Sequence, residues 1–470
     1  MMEDFISSAV ASFSKFLSEN NSKIKERSPS NVLVSYAIVI NDFPVFERIN
    51  HLTKNYERSF YFEKPEENFL IFGADEALTI SENGERRFTA IDKKIKNLKD
   101  SFINNWGTLP EKEIPLFLGG MKFMTDHNDN EWQDYNDSTW FIPEIMILST
   151  QENKYLISNF YIQNTLDKEI VKKFKAKLDK FLKQGSPKEK STDQKILSSS
   201  GDSPKDKKKW KQLVEEALER ISENHIEKVV LSRKVELLLS SELDFNNIVG
   251  KLRSHHPNCS IFIYHHGKSS FFGATPEMLA KFTGSRVEID VLAGSAPRGT
   301  TIVEDKLIEK ELLSDDKNLH EHDVVTDYIK RTLADFTENL VIEKHYSIKK
   351  LANIQHIWSK ISAMLLSPGS IMLLLKELYP TPAICGFPKE AALHFIKKSE
   401  TYRRGLYSGI IGWFNLEENG EFVVALRSAL TVNNKIISFA GNGIVNNSNP
   451  EKEYKETELK LKTILSLFND

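Results

Sequence analysis

Short apolar runs broken by turn signals recur along this chain, and they confine much of it to strands. From Val32 to about Ile162 they read VLVSYAIVI, FLIFGADEALTI, PLFLGGMKFM, WFIPEIMIL and YLISNFYI. Their length and β-branched or aromatic content suit strands. The pattern returns in KVVLSRKVELLL, CSIFIYHH and VEIDVLAGSAPRG, and then in a hairpin, YSGIIGWFNLEENGEFVVALRSAL, turning at Glu418-Asn419-Gly420. Helical spacing interrupts it at 91–105, 165–183, 210–228 and in the long segment DKLIEKELLSDDKNLHEHDVVTDYIKRTLADF. IFGADEALTISENGERRFTAI (71–91) loosely echoes FFGATPEMLAKFTGSRVEIDV (271–291), a candidate duplicated strand-turn-strand unit.

Residues 184–209 are rich in Ser, Lys, Asp and Pro with few apolar positions, which predicts an exposed, mobile connection. It separates a strand-rich subdomain, 1–183, from a catalytic region, 210–470; a length of 470 residues agrees with two or three domains. A net charge of -3 gives no electrostatic case for nucleic acid or an anionic membrane. Any anionic ligand must therefore meet a local site. Cys259 and Cys385 lie far apart, which indicates neither a disulfide framework nor a cysteine zinc site. With no signal peptide read at the N-terminus and no membrane-length apolar run, the expected location is cytoplasmic.

The closing stretch, KIISFAGNGIVNNSNPEKEYKETELKLK (435–462), carries the densest signals. An apolar strand empties into Gly441-Asn442-Gly443, where missing Cβ atoms let a ligand approach the backbone. Asn449 and Pro450 start a helix on which Glu453, Glu456 and Lys460 share one face. Two carboxylates one turn apart can hold a hard cation such as Mg²⁺; the same pattern also suits a solvated helix with Glu/Lys pairs.

Other candidates are scattered. Lys228 opens an apolar strand, where a desolvated amine can serve as a general base, or simply cap a helix. Glu277 follows Gly-Ala-Thr-Pro; kept protonated by burial it can donate a proton, and otherwise it is a first-turn glutamate. Glu321 on the long helix is a metal candidate or an exposed side chain. His320 and His322 are two apart, on different helix sides, which argues against zinc. Gly294 with Arg298 resembles an anion-binding loop, although turn chemistry also explains it. Arg427 ends an apolar strand and needs a carboxylate, from the protein or from a ligand. His356 can polarise an oxygen or sit satisfied in the core.

In order along the chain, KVVLSR, FGATPE, LAGSAPRG, HEHDVV, PTPAICGFPKE, YSGIIGW, VALRSA and AGNGIV with EKEYKET resemble the chorismate-binding enzyme family, with fainter matches at 115–148. The resemblance implies an α+β fold of two large packed antiparallel sheets with flanking helices and a cleft between them. It implies chorismate as substrate and Mg²⁺ as cofactor, held by Glu321, Glu453 and Glu456. Gly294, His356, Arg427, Gly441, Gly443 and Lys460 would meet the substrate, with Lys228 as base and Glu277 as acid. It further implies a monomer or weak homodimer. Anthranilate-forming members carry Gln where Lys228 stands, aminodeoxychorismate-forming members carry Lys where Ala293 stands, and PTPAICG is typical of isochorismate-forming ones. These contrasts predict an isomerase that makes isochorismate for menaquinone or a catechol siderophore. A salicylate-forming enzyme and a non-catalytic chorismate binder are the alternatives. Tyr379, Asn442 and Asn318 depart from the family pattern.

Overall fold

The computed structural model describes every residue except 1, 28–30, 41–42, 112, 126–130, 163–167, 184–193, 368, 370 and 469–470. Among the described residues, thirteen strands form one sheet and nine a second. Every pairing is antiparallel except that of Val32–Val39 with Phe102–Asn104. The α+β expectation of two large sheets with helices outside is met, with this one parallel pair as a local exception.

The period of two explains how the layers stack. Phe60, Phe62, Phe262, Tyr264 and Phe271 point from the larger sheet into a core shared with Phe117, Trp140, Phe282 and Phe422 of the smaller one. Their neighbours Tyr61, Ile261, Ile263 and Phe272 point the other way, into a second core. Helices Met2–Glu19, Val45–Lys54, Lys168–Lys183 and Phe245–His255 close that outer face with Phe13, Ile49, Phe174 and Leu252. The larger sheet is thus buried on both faces.

Strands from the two halves of the chain join directly. Arg58–Lys64 pairs with Ser260–His266 in the larger sheet, and Phe117–Met121 with Ile410–Phe414 in the smaller. The echoed segments also fold alike. Phe69–Ala74 and Ser269–Thr275 lie in the larger sheet, and each chain then crosses to the smaller sheet as Leu78–Glu82 and Met278–Thr283.

Several element boundaries differ from the sequence reading, and the long helical segment is two helices, Ile302–Leu312 and Asp316–Ala334. The helix expected over 91–105 runs from Arg87 to Lys99, and Phe102–Asn104 is a strand. Within the expected connection, Ile196–Ser200 forms an edge strand against Lys228–Leu239, while 184–193 lie outside the described residues. The helix expected from 210 starts at Pro204, because Ser203 and Asp206 form a reciprocal capping box ahead of the lysine run. No helix among the described residues is long and apolar enough to cross a membrane.

Candidate active site

The cleft lies where the chain twice crosses between sheets. Glu277 sits at the crossing from Ser269–Thr275 to Met278–Thr283, and Arg427 at the crossing from Gly420–Val424 to Ser428–Val432. Hydrogen bonds tie the crossings together. Thr275 Oγ1 donates to the Val424 carbonyl at 2.6 Å, and Val424 N–H donates to the Glu277 carbonyl at 3.1 Å. The Arg427 carbonyl accepts from Ala274 N–H at 3.1 Å, and a Cβ at Gly273 would lie 2.6 Å from that oxygen. Arg427 itself has φ 46°, a left-handed conformation uncommon for a side-chain-bearing residue.

The floor is built from Lys228–Leu239 paired with Lys435–Ile444, Val230 opposite Gly443 and Ser232 opposite Gly441. Lys228 and Glu321 pass directly over Gly443: a Cβ there would meet Glu321 Oε1 at 2.7 Å and Lys228 Cε at 2.9 Å. At Gly441 it would meet the Leu231 carbonyl at 2.7 Å. Gly443→Ala is therefore expected to destabilise the protein by about 1–3 kcal/mol through overpacking. It should also displace Lys228, lowering turnover more than substrate affinity. Urea unfolding and steady-state kinetics check this, and unchanged values in both would remove the close-approach role.

The third wall is Arg286–Pro297. Its pairing with Ile354–Leu365 shifts register between Ala293 and Ser295, and Gly294 takes φ 77° at this bulge, leaving Ser295 opposite His356. Helix Asp316–Ala334, capped by Asp315, brings Glu321 to the same place. Beside it, His322 is fully buried between Ser359 Oγ at 2.8 Å and the Ala293 carbonyl at 3.3 Å. His320 instead faces Glu227 at 3.5 Å, so the two histidines share no site.

Burial sets the electrostatics. It pushes the Glu277 carboxyl up to about 7, against the opposing pull of Arg427, Lys228 and Lys349. It drives His356 well below the ordinary histidine range, with Arg427 and Lys460 adding to the effect. His356 is thus neutral, and its Nε2 can accept from Arg427 Nη2 at 3.3 Å. Arg427 is 8 % exposed and makes no ion pair among the described residues. Such a buried guanidinium is a ready partner for a ligand carboxylate. For Glu456 burial acts upward, but Lys460, Ser295 and Asn442 outweigh it and hold the group at about 2. Glu453 is raised, by burial first and by Glu456 as well, despite Lys317. Lys228 is 1 % exposed; its Nζ lies 2.8 Å from Glu321 Oε1, an ion-pair contact without the alignment of a hydrogen bond.

The chorismate binding enzyme family profile matches residues 16–469. The chain is 31 % identical over 443 residues to isochorismate synthase MenF of Bacillus subtilis, covering 93 % of each. The chain belongs to the chorismate-binding enzyme family. It is also 31 % identical to the salicylate biosynthesis isochorismate synthase of Pseudomonas aeruginosa, covering 85 % of this chain and 83 % of that one. The menaquinone-specific isochorismate synthase MenF from Escherichia coli, 20 % identical, shares the fold with a TM-score of 0.77, covering 97 % of this chain and all of that one.

In this chorismate-binding enzyme every residue that the family resemblance assigned to base, acid, substrate or metal lines the cleft except Lys228 and Glu453. Lys228 lies behind Glu321, and Glu453 behind Asn442, whose amide donates to it. Arg298 does not reach the cleft. Asp305 holds it by two hydrogen bonds at 2.7 and 2.9 Å, and the Leu351 carbonyl takes a third, so its place is structural. Sequence reasoning missed Ser295, whose hydroxyl donates to Glu456, and Tyr407, which lines the cleft; both stand inside quoted motifs. It also missed Lys317, 3.1 Å from Glu453, four residues before Glu321 on the same helix face. A wider groove lies between helix Pro204–Ser222 and residues 399–402. Its most buried charged groups are already paired, Lys234 with Glu131 and Glu236 and Glu400 with Arg404.

Among the described residues no three Asp, Glu, His or Cys side chains gather into a closed metal cage. Mg²⁺ asks for less, usually one or two carboxylates with its other positions filled by water and ligand oxygens. Glu453 and Glu456 are close enough to share one amide donor, and Glu456 and Glu321 both line the cleft. An all-oxygen, partly buried set of this kind fits a hard cation.

Proposed function

We propose that this protein is a Mg²⁺-dependent isochorismate synthase, converting chorismate to isochorismate. The observation that carries this reading is a cleft lined by Glu277, a buried carboxyl poised near neutrality, with the buried amine of Lys228 directly behind Glu321 over the Gly443 floor. The names of its relatives point the same way. Arg427 and Lys460 take the carboxylates of the substrate, His356 steadies the Arg427 guanidinium, and the backbone at Gly294, Gly441 and Gly443 lies against the ring.

Lys228 removes a proton from the water that adds at ring C2. Glu277, protonated, donates to the C4 hydroxyl, which leaves as water while the double bonds shift. Water adds and water departs, so the net change is an isomerisation. Glu321, Glu453 and Glu456 would hold Mg²⁺, which would supply positive charge for the ring carboxylate. Fixed dipoles and charges around a desolvated site supply much of the acceleration. The enzyme works in the cytoplasm as a monomer or weak homodimer, and its product feeds menaquinone or catechol siderophore synthesis.

Purified protein incubated with chorismate and Mg²⁺ is expected to yield isochorismate on chromatographic separation. Salicylate and pyruvate formed without an added lyase would move the assignment to a salicylate-forming enzyme. Chorismate binding with no product at all would leave only a binding protein.

A further inference from the structure

Asn442 stands between the two floor glycines, where related enzymes by sequence resemblance carry a small residue. Its side chain is buried, 6 % exposed, and uses both ends. Nδ2 donates to Glu453 Oε2 and, at 2.9 Å, to Glu456 Oε2, while Oδ1 accepts from Lys460 Nζ at 2.9 Å. The surroundings fix the orientation of the amide. Reversing it would set its oxygen against two carboxylates and its NH₂ against an ammonium.

The other carboxylate oxygens are taken as well. Lys317 Nζ lies 3.1 Å from Glu453 Oε1; Lys460 Nζ lies 2.8 Å from Glu456 Oε1, which also accepts from Ser295. The ammonium groups balance the carboxylate charges, whereas the amide carries no charge. Its two hydrogen bonds are therefore the contacts a cation displaces most easily.

We propose that Asn442 is a neutral placeholder between Glu453 and Glu456, bridging them when no cation is bound and yielding their Oε2 atoms to one. This rests on the reading of these glutamates as cation donors. A cation must break two hydrogen bonds before it gains those oxygens, so Asn442 lowers divalent-cation affinity relative to a small side chain. Without the amide, the buried Glu453 and the half-buried Glu456 carboxylates face one another unbridged, and a cation relieves that arrangement.

Calorimetric titration of Mg²⁺ into the Glu277→Gln protein saturated with chorismate tests the inference, because conversion is slowed about 10²- to 10⁴-fold and affinity is read directly. Adding Asn442→Ala is expected to tighten Mg²⁺ binding about tenfold, the worth of the two hydrogen bonds a cation no longer has to break. It should also lower Tm in the absence of Mg²⁺ and enlarge the rise in Tm when Mg²⁺ is added. Asn442→Gly should shift affinity in the same direction. Unchanged or weaker binding in both variants overturns the placeholder role. Glu456→Gln in the same background separates the two claims. If it leaves Mg²⁺ affinity unchanged, the donor assignment is at fault; if it weakens binding while Asn442→Ala fails to tighten it, the placeholder alone falls.

Discussion

Replacing Lys228 with alanine is expected to lower kcat by about 10²- to 10⁴-fold, the range typical of a positioned proton-transfer group. Chorismate affinity should stay within a few fold, because Arg427 and Lys460, which meet the carboxylates, are untouched. Lys228 is buried with its Nζ 2.8 Å from Glu321, so the substitution also leaves that carboxylate without its cation. Some loss of stability is expected for that reason. The rate must accordingly be normalised to folded protein, by circular dichroism beside product chromatography, with affinity measured by calorimetry. A variant that binds poorly but turns over normally at saturation would make Lys228 a binding residue and not the base.

Glu277→Gln should have a comparable effect, with a pH signature the lysine variant lacks. The wild-type carboxyl titrates at about 7, and only its protonated form donates. The kcat/KM of the wild type should therefore fall as pH rises through that value. In Glu277→Gln the residual activity should lose this descending limb. Stability carries the same sign. The native state holds the proton more tightly than the unfolded chain, whose glutamate titrates near 4.5. The contribution is complete below 4.5 and is lost as pH climbs towards 7. Urea unfolding across that window should show a downward slope in the wild type that is smaller in Glu277→Gln. A descending limb that survives the substitution would transfer the acid role elsewhere.

The layers were legible because burial follows period two: Phe60, Tyr61 and Phe62 alternate between two cores, and the runs around Phe262 and Phe271 do the same. The helix start at Pro204 was not, because a lysine run masked the capping box ahead of it. The edge strand Ile196–Ser200 is exposed throughout, so no apolar alternation announces it. Within the site, motif order picked out the cleft-lining residues, although each glycine, arginine or acid taken singly has an ordinary structural alternative. Pairings between distant residues left no trace: Lys228 with Glu321 and Lys317 with Glu453 depend on how a helix is laid across a strand. Arg298 misled because its partner, Asp305, lies on the next helix, where sequence shows only another acid among several.

The repeated crossing between sheets gives the sandwich two comparable addresses for an acid. At one, Glu76 follows strand Phe69–Ala74; at the other, Glu277 follows Ser269–Thr275. Glu76 has a half-exposed side chain and is neutralised by Arg58 at 2.6 Å. Glu277 is buried and forms no ion pair among the described residues. The same backbone path thus carries an inert surface ion pair at one end and a proton donor at the other. What distinguishes them is access to water and the absence of a committed partner. Reactivity at this second crossing could therefore be silenced without touching Glu277, by any neighbouring substitution that lets in solvent or supplies it with a directly ion-paired arginine.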